Sequence, residues 1–224
     1  PLARRGMPNE AEESMVFRDI VLSELTGGRL HIAHVSTQGS VHLIREAKKR
    51  GTTVTAETCP HYFSITEDAV GGYDTNAKVN PPLRTLKDIE AVKGGLQDGT
   101  IDVIATDHAP HHIDEKMREF DMAPFGISGL ETALGLSMKL VHEGVLTLPQ
   151  LIEKMTVNPS RILKIHGGTL REGDYADIAI LDPQKKHTVD AGQFISKGKN
   201  TPFHGWELKG IPVMTIAGGK LYEW

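Results

Sequence analysis

The sequence predicts an α/β fold built on a parallel sheet, with a small β layer after it. Three observations carry that expectation. Short apolar or β-branched runs alternate with amphipathic helical stretches, the signature of βα units around a parallel sheet. Three of those runs end in clusters of His, Asp and Glu, and parallel α/β folds gather ligand groups at the carboxyl ends of their strands. The texture then changes after Gly167-Gly168, where a polar loop separates two strand-like runs.

The elements follow in order. Pro8-Asn9 offers a cap for a helix over Glu10 to Leu25, with Met15, Val16, Ile20, Leu22 and Leu25 on a rough helical stripe. Gly27-Gly28 stops it, and Arg29 to Val35 reads as a strand. Ser40 to Arg50 is an amphipathic helix whose last turn, Lys48-Lys49-Arg50, suits the negative end of the helix dipole, and Gly51 closes it. Thr52 to Ala56 is a β-branched strand. The stretch from there to Leu83 is too long for a simple connector, so a functional loop is expected. Leu86 to Leu96 is a helix, Ile101 to Thr106 a strand and Leu130 to His142 a helix. Leu148 to Met155 and Pro159 to Leu163 add short helices. Ala176 to Leu181 and Val213 to Tyr222 are strands, the second turning at Gly218-Gly219.

Composition removes several function classes. Hydrophobic content of 39% and charged content of 24% suit a soluble globular protein. No run of about 18 apolar residues exists, so no membrane span is expected. A net charge of −4 supplies no electrostatic footprint for nucleic acid. The single cysteine, Cys59, excludes an internal disulfide framework and suits the reducing cytoplasm. Because the chain starts at Pro1, it is expected to be part of a longer gene product.

The strand ends carry the chemistry. The first offers His34, the second Glu57 and His61, the third Asp107 and His111. Imidazole nitrogen and carboxylate oxygen are the donors a borderline metal such as zinc prefers. His31 and His34 lie three apart on one strand, so one is expected to face the helices as an ordinary packed or surface histidine. Cys59 is expected to be a buried structural thiol. His61 stays open between lining the cavity and serving the loop, while His108 and His112 are expected to bond nearby backbone.

The segments H-I-A-H-V-S-T (His31 to Thr37), K-V-N-P-P-L-R (Lys78 to Arg84), D-G-T-I-D-V-I-A-T-D-H-A-P-H (Asp98 to His111), A-P-F-G-I-S-G-L-E-T (Ala123 to Thr132) and S-K-G-K-N-T-P-F (Ser196 to Phe203) resemble the dihydroorotases of the amidohydrolase superfamily, in their common bacterial branch. The resemblance covers nearly the whole chain. It implies the carboxyl-terminal part of a TIM-type (β/α)8 barrel over 1–166 and part of a small β-sandwich with a C-terminal extension over 167–224. It implies zinc-dependent interconversion of N-carbamoyl-L-aspartate and dihydroorotate. His34 matches a metal ligand on the sixth strand, and Asp107 matches the eighth-strand aspartate that is both metal ligand and proton shuttle. Asn80 and His111 match residues that hold the substrate. Phe125 and Gly126 match a segment making backbone contacts to it.

The family's H-x-H pair, fourth-strand bridging ligand, fifth-strand histidine and substrate-binding arginine are absent from these residues. The isolated chain is therefore expected to be inactive, to bind zinc weakly and to expose the edge of its first strand. Allantoinase and hydantoinase are the alternative activities. A metal-free structural partner of aspartate transcarbamoylase is the non-catalytic alternative, and a homo-oligomer is also open.

Overall fold

The computed structural model describes residues 6–223. Two compact units are present, one of Pro1–Glu131 with Ala191–Pro202, the other of Thr132–Asp190 with Phe203–Trp224.

The first unit is built on a parallel sheet of β1 (Leu30–Ile32), β2 (Val54–Thr58) and β3 (Val103–Ile104) in that order. Leu30 stands opposite Val54, and Glu57 opposite Val103. Helices α1 (Asn9–Thr26), α2 (Gln38–Lys49) and α3 (Leu86–Asp98) belong to the same unit. The strand period of two divides the faces. Ile32, Val54, Ala56 and Thr58 are buried with α1 and α2 packed against β1 and β2, while His31, Thr55 and Glu57 take the other face. In α2, Val41, Ile44 and Ala47 are fully buried at helical spacing, and the Thr37 hydroxyl caps the start by accepting the Ser40 N–H at 3.1 Å.

The helix starts share one carboxylate. Thr85 and Asp88 form a reciprocal capping box on α3. Asp88 also accepts the Gln38 N–H at 2.9 Å and the Asn9 side-chain amide at 2.9 Å. Asn9 was expected to cap α1; its side chain instead ties α1 to α3.

Other expectations are corrected by packing. On α1 only Val16, Ile20 and Ser23 are buried, whereas Met15, Leu22 and Leu25 are exposed, because the helix meets α2 along a narrow seam. The basic end of α2 does more than answer a dipole. Lys48 Nζ pairs with Asp102 at 2.7 Å, and Arg50 with Glu24 at 2.8 Å. Asp102 also accepts the Ala56 N–H at 2.8 Å, so the lysine braces the β2–β3 seam. β1 and β3 are shorter at their carboxyl ends than the apolar runs suggested, since the backbone turns away at His34 and near Asp107, whereas β2 runs past its expected end at Ala56 to Thr58. The loop before Leu83 contains three 3-10 turns, Pro60–Phe63, Glu67–Tyr73 and Thr75–Ala77. A single helical turn, α4 (Ile113–Lys116), follows β3.

Helix α5 (Leu130–His142) falls mostly in the second unit. There α6 (Leu148–Ile152) continues through a π-type turn (Glu153–Val157) into α7 (Asn158–Leu163), one path where two helices were expected. Three antiparallel strands follow, β4 (Ile178–Thr188), β5 (Glu207–Ala217) and β6 (Lys220–Glu223). All lie after Gly167, and all the parallel strands before it. β4 outruns its expected end because a register shift between Asp182 and Lys186 absorbs Pro183, with Asp182 accepting the N–H groups of Gln184 and Lys185. Gly218 and Gly219, at φ 55° and 75°, make the expected hairpin turn between β5 and β6. No helix among the described residues is long and apolar enough to cross a membrane.

A buried ionic knot lies beside β1. Glu12 accepts the N–H groups of Ser36 and Thr37 at 3.0 and 3.2 Å and stands 3.6 Å from the Arg84 guanidinium. Removing one member of such a pair strands the other charge. Glu12→Ala is expected to lower stability by about 3 kcal/mol, and Glu12→Gln by clearly less. Urea unfolding midpoints check this, and equal losses would contradict it.

Candidate active site

Two of the expected metal ligands sit at equivalent turns. His34 follows β1 at φ 43°, and Asp107 follows β3 at φ 46°. Non-glycine residues rarely adopt such angles, and surrounding structure must hold them there. Val35 N–H bonds the Glu57 carbonyl at 2.8 Å, and Ala105 N–H bonds that of Thr58 at 3.0 Å, so sheet pairing reaches almost to each turn. The Glu12 carboxylate then holds Ser36 and Thr37, just beyond His34.

The Asp107 carboxylate is not alone. Its oxygen, the Cys59 sulfur and a His61 ring nitrogen all lie within 4.8 Å of one another. Cys59 and His61 are buried and Asp107 is exposed. His61 Nε2 is buried with no hydrogen-bond partner among the described residues. Burial, reinforced by the neighbouring His34, lowers the His61 pKa to about 3, so its ring is neutral near pH 7. Burial pushes the Cys59 thiol well up, with Asp107 and Glu57 adding to the effect. Neutral imidazole and carboxylate are donors that suit a borderline divalent cation, whereas a cysteine ligates as thiolate, the form its burial here disfavours. An orphaned buried imidazole nitrogen suits one as well, because a cation would take up its unused lone pair. The donor set thus fits a divalent metal.

The expected substrate residues gather on a second wall. His111 Nε2 is 2.8 Å from the Phe125 carbonyl, which only accepts, so this nitrogen carries the proton. Gly126 adopts φ 141°, and an added Cβ would lie 2.5 Å from Ala109 Cβ and 2.9 Å from the Ala109 carbonyl. Its N–H donates to the Lys78 carbonyl at 2.9 Å. That bond joins the loop to the segment carrying Asn80, two residues on. Asn80 is exposed, and its amide makes no hydrogen bond among the described residues. Phe125 is half exposed, and its N–H likewise donates to no described group. No hydrogen bond joins Asn80 or His111 to His34 or Asp107 among the described residues.

Several readings of single residues change. His31 does not pack on the helices. His31 bonds Thr55 at 2.8 Å and Glu57 at 3.1 Å on the opposite face of the sheet, so Glu57 is engaged within the sheet and does not stand free at the strand end. Cys59 is buried as expected, yet it belongs to the cluster around Asp107. His108 Nδ1 accepts the N–H groups of Gly129 and Leu130 at 3.1 and 3.3 Å, and His112 accepts that of Asp114, as expected. Sequence reasoning missed Asn200, although it lies in one of the motif segments. Its Oδ1 accepts the His111 N–H at 2.9 Å, and its Nδ2 donates to the carbonyls of Ala109 at 3.0 Å and Gly126 at 2.9 Å. Lys78 and Lys116, both buried, were also passed over. Their burial was the missing signal, and it is visible only in the fold.

Residues 19–222 match the amidohydrolase family. The chain is 60% identical over 220 residues to a dihydroorotase of Geobacter metallireducens, covering 98% of this chain and 52% of that protein. It is also 60% identical over 221 residues to a dihydroorotase of Pelotomaculum thermopropionicum, with the same coverage. It thus spans about half the length of these curated relatives. Among solved structures, an L-hydantoinase (dihydropyrimidinase) from Arthrobacter aurescens superposes with a TM-score of 0.90 at 33% identity, over 96% of this chain and 49% of that one. A dihydropyrimidinase from Brevibacillus agri superposes with a TM-score of 0.90 at 25% identity and the same coverage. The expected class, a partial amidohydrolase (β/α)8 barrel with part of a β-sandwich, agrees with these matches.

Asn200 is the hub of the second wall. Asn200→Ala leaves the His111 N–H and the Ala109 carbonyl without their partner and takes one of two donors from the Gly126 carbonyl, which is expected to cost about 2–3 kcal/mol. Chemical denaturation of the purified variant measures this, and a loss near zero would remove Asn200 from its place.

Proposed function

Because the chain belongs to the amidohydrolase family, we propose that it is the carboxyl-terminal part of a dihydroorotase, interconverting N-carbamoyl-L-aspartate and dihydroorotate in the cytoplasm. One observation carries the reading. A carboxylate at a strongly turned strand end stands within 4.8 Å of two further metal-donor atoms. The loop of Phe125 and Gly126 supplies an unpaired backbone donor. Similarity favours dihydroorotase over hydantoinase, since the curated dihydroorotases reach 60% identity where the solved hydantoinase reaches 33%. The hydantoinase reading stays as the second one because of the TM-score of 0.90.

In this reading His34 and Asp107 hold a zinc ion, with Cys59 and His61 within reach of the same carboxylate. Bound zinc supplies a Lewis acid that makes water a competent nucleophile near neutral pH. In ring opening, Asp107 accepts a proton from the attacking water and returns it to the departing ring nitrogen. Ring closure reverses these transfers. Asn80 offers its side-chain amide to the substrate's carboxylate, and the Phe125 N–H offers the backbone donor. Gly126 takes part through its shape, because its own N–H is already committed to Lys78. His111 acts by holding the Phe125 carbonyl.

Two outcomes test this in the full-length parent enzyme. Asp107→Asn is expected to keep the fold and lower turnover of dihydroorotate at least about a hundredfold. Near-normal turnover in the metal-loaded variant would remove Asp107 from proton transfer, and a parent preference for hydantoin or allantoin would overturn the substrate. His34→Ala is expected to lose zinc on dialysis, because a site of few protein ligands has little redundancy. Metal content per chain, measured by elemental analysis, reports it, and full occupancy would show that His34 is not a ligand.

A further inference from the structure

The loop that carries Phe125 is gripped by two buried ammonium groups. Lys78 Nζ donates to the carbonyl oxygens of Phe120 at 2.6 Å, Asp121 at 3.2 Å and Ala123 at 2.6 Å. The same nitrogen stands 4.5 Å from the centre of the Phe125 ring. Lys116 Nζ donates to the carbonyls of Pro124 at 3.0 Å and Gly126 at 3.1 Å. The grip is reciprocal, because the Lys78 carbonyl accepts the Gly126 N–H at 2.9 Å. Lys116 is itself anchored, its carbonyl accepting the Thr75 hydroxyl. Five of the seven residues from Phe120 to Gly126 thus give a carbonyl to one lysine or the other.

Neither nitrogen forms an ion pair among the described residues, although Lys78 is 8% and Lys116 3% exposed. Buried charge without a counter-ion opposes folding. Burial, with Lys78 adding its repulsion and Asp74 partly opposing, lowers the Lys116 pKa from 10.5 to about 8. Lys78 is lowered too, by burial, against a raising influence of Asp121. A group lowered this way penalises the fold at pH values below about 8, and the penalty fades as pH rises toward 10.5. An apolar side chain of similar length would fill the space without that penalty. What only the cation supplies is hydrogen bonds about twice as strong as neutral ones, aimed at a run of carbonyls.

We propose that Lys78 and Lys116 are positioning residues that fix the loop Phe120–Gly126 against the substrate, so that the Phe125 N–H and ring set the affinity for the cyclic amide. The proposal rests on the cyclic-amide reading above. Its test therefore uses the full-length parent with whichever of dihydroorotate, hydantoin and allantoin the wild type turns over best. The wild type alone then judges the choice of substrate, and the variants judge the lysines.

Lys78→Met and Lys116→Met are expected to raise KM about tenfold with kcat changed less than about threefold and metal content unchanged. Amide hydrogen exchange over 117–126 should quicken in both. Lys116→Met also takes the donor from the Pro124 carbonyl, so a fall in unfolding midpoint is expected whatever the role, and the KM rise with kcat and metal content held is what a merely structural lysine would not give. In the wild type, KM should climb as pH passes about 8 and Lys116 loses its proton, and Lys116→Arg, charged throughout, should shift that climb to higher pH. An unchanged KM with unchanged loop exchange overturns the proposal. So does a lowered midpoint with unchanged KM, which would assign the lysines to the fold alone.

Discussion

The turn of the backbone into left-handed conformation at His34 and Asp107 is the constraint on which the site depends. Each such residue costs about 1–3 kcal/mol and persists only where its surroundings over-determine it. At His34 the surroundings are the Val35–Glu57 bond on one side and the grip of Glu12 on Ser36 and Thr37 on the other. At Asp107 they are the Ala105–Thr58 bond and the Ala109 N–H donated to the Ile127 carbonyl at 2.9 Å. The short strands follow from this. β1 and β3 stop early because the chain must leave the sheet to aim a side chain at the ends of the strands.

Polar groups buried far from one another in sequence then fix the walls around those turns. Asp88 joins the starts of three helices, Asn200 ties the His111 segment to the Gly126 segment, and Lys78 and Lys116 hold the loop between. Each is expensive to bury and each holds at least two hydrogen-bond partners, which gives a unique arrangement rather than mere compactness. Three of the groups left without protein partners are of another kind. Asn80, the Phe125 N–H and His61 Nε2 border the region where chemistry is proposed, and unmet hydrogen-bonding capacity is what a ligand or cation would use.

The alternation of β-branched runs with Val41-Ile44-Ala47 spacing made the βα units legible, as Gly218-Gly219 did for the last hairpin. The motif segments made His34, Asp107, Asn80, His111, Phe125 and Gly126 legible as candidates, and the fold sets His111 against Phe125 and Gly126. What stayed hidden depends on partners distant along the chain. Nothing local distinguishes Lys116 from a surface lysine, or shows that Asn9 reaches Asp88 rather than its own helix. The stripe on α1 misled because apolar spacing does not say which seam is covered. Cys59 misled because a lone cysteine in sequence carries no sign that His61 and Asp107 fold beside it.

The most direct measurement is a crystal structure of the zinc-loaded full-length enzyme with anomalous scattering recorded at the zinc edge. A peak is expected about 2 Å from a His34 nitrogen and an Asp107 oxygen, with both residues still in left-handed conformation. A zinc peak away from both side chains, with activity retained in the same crystals, would contradict it.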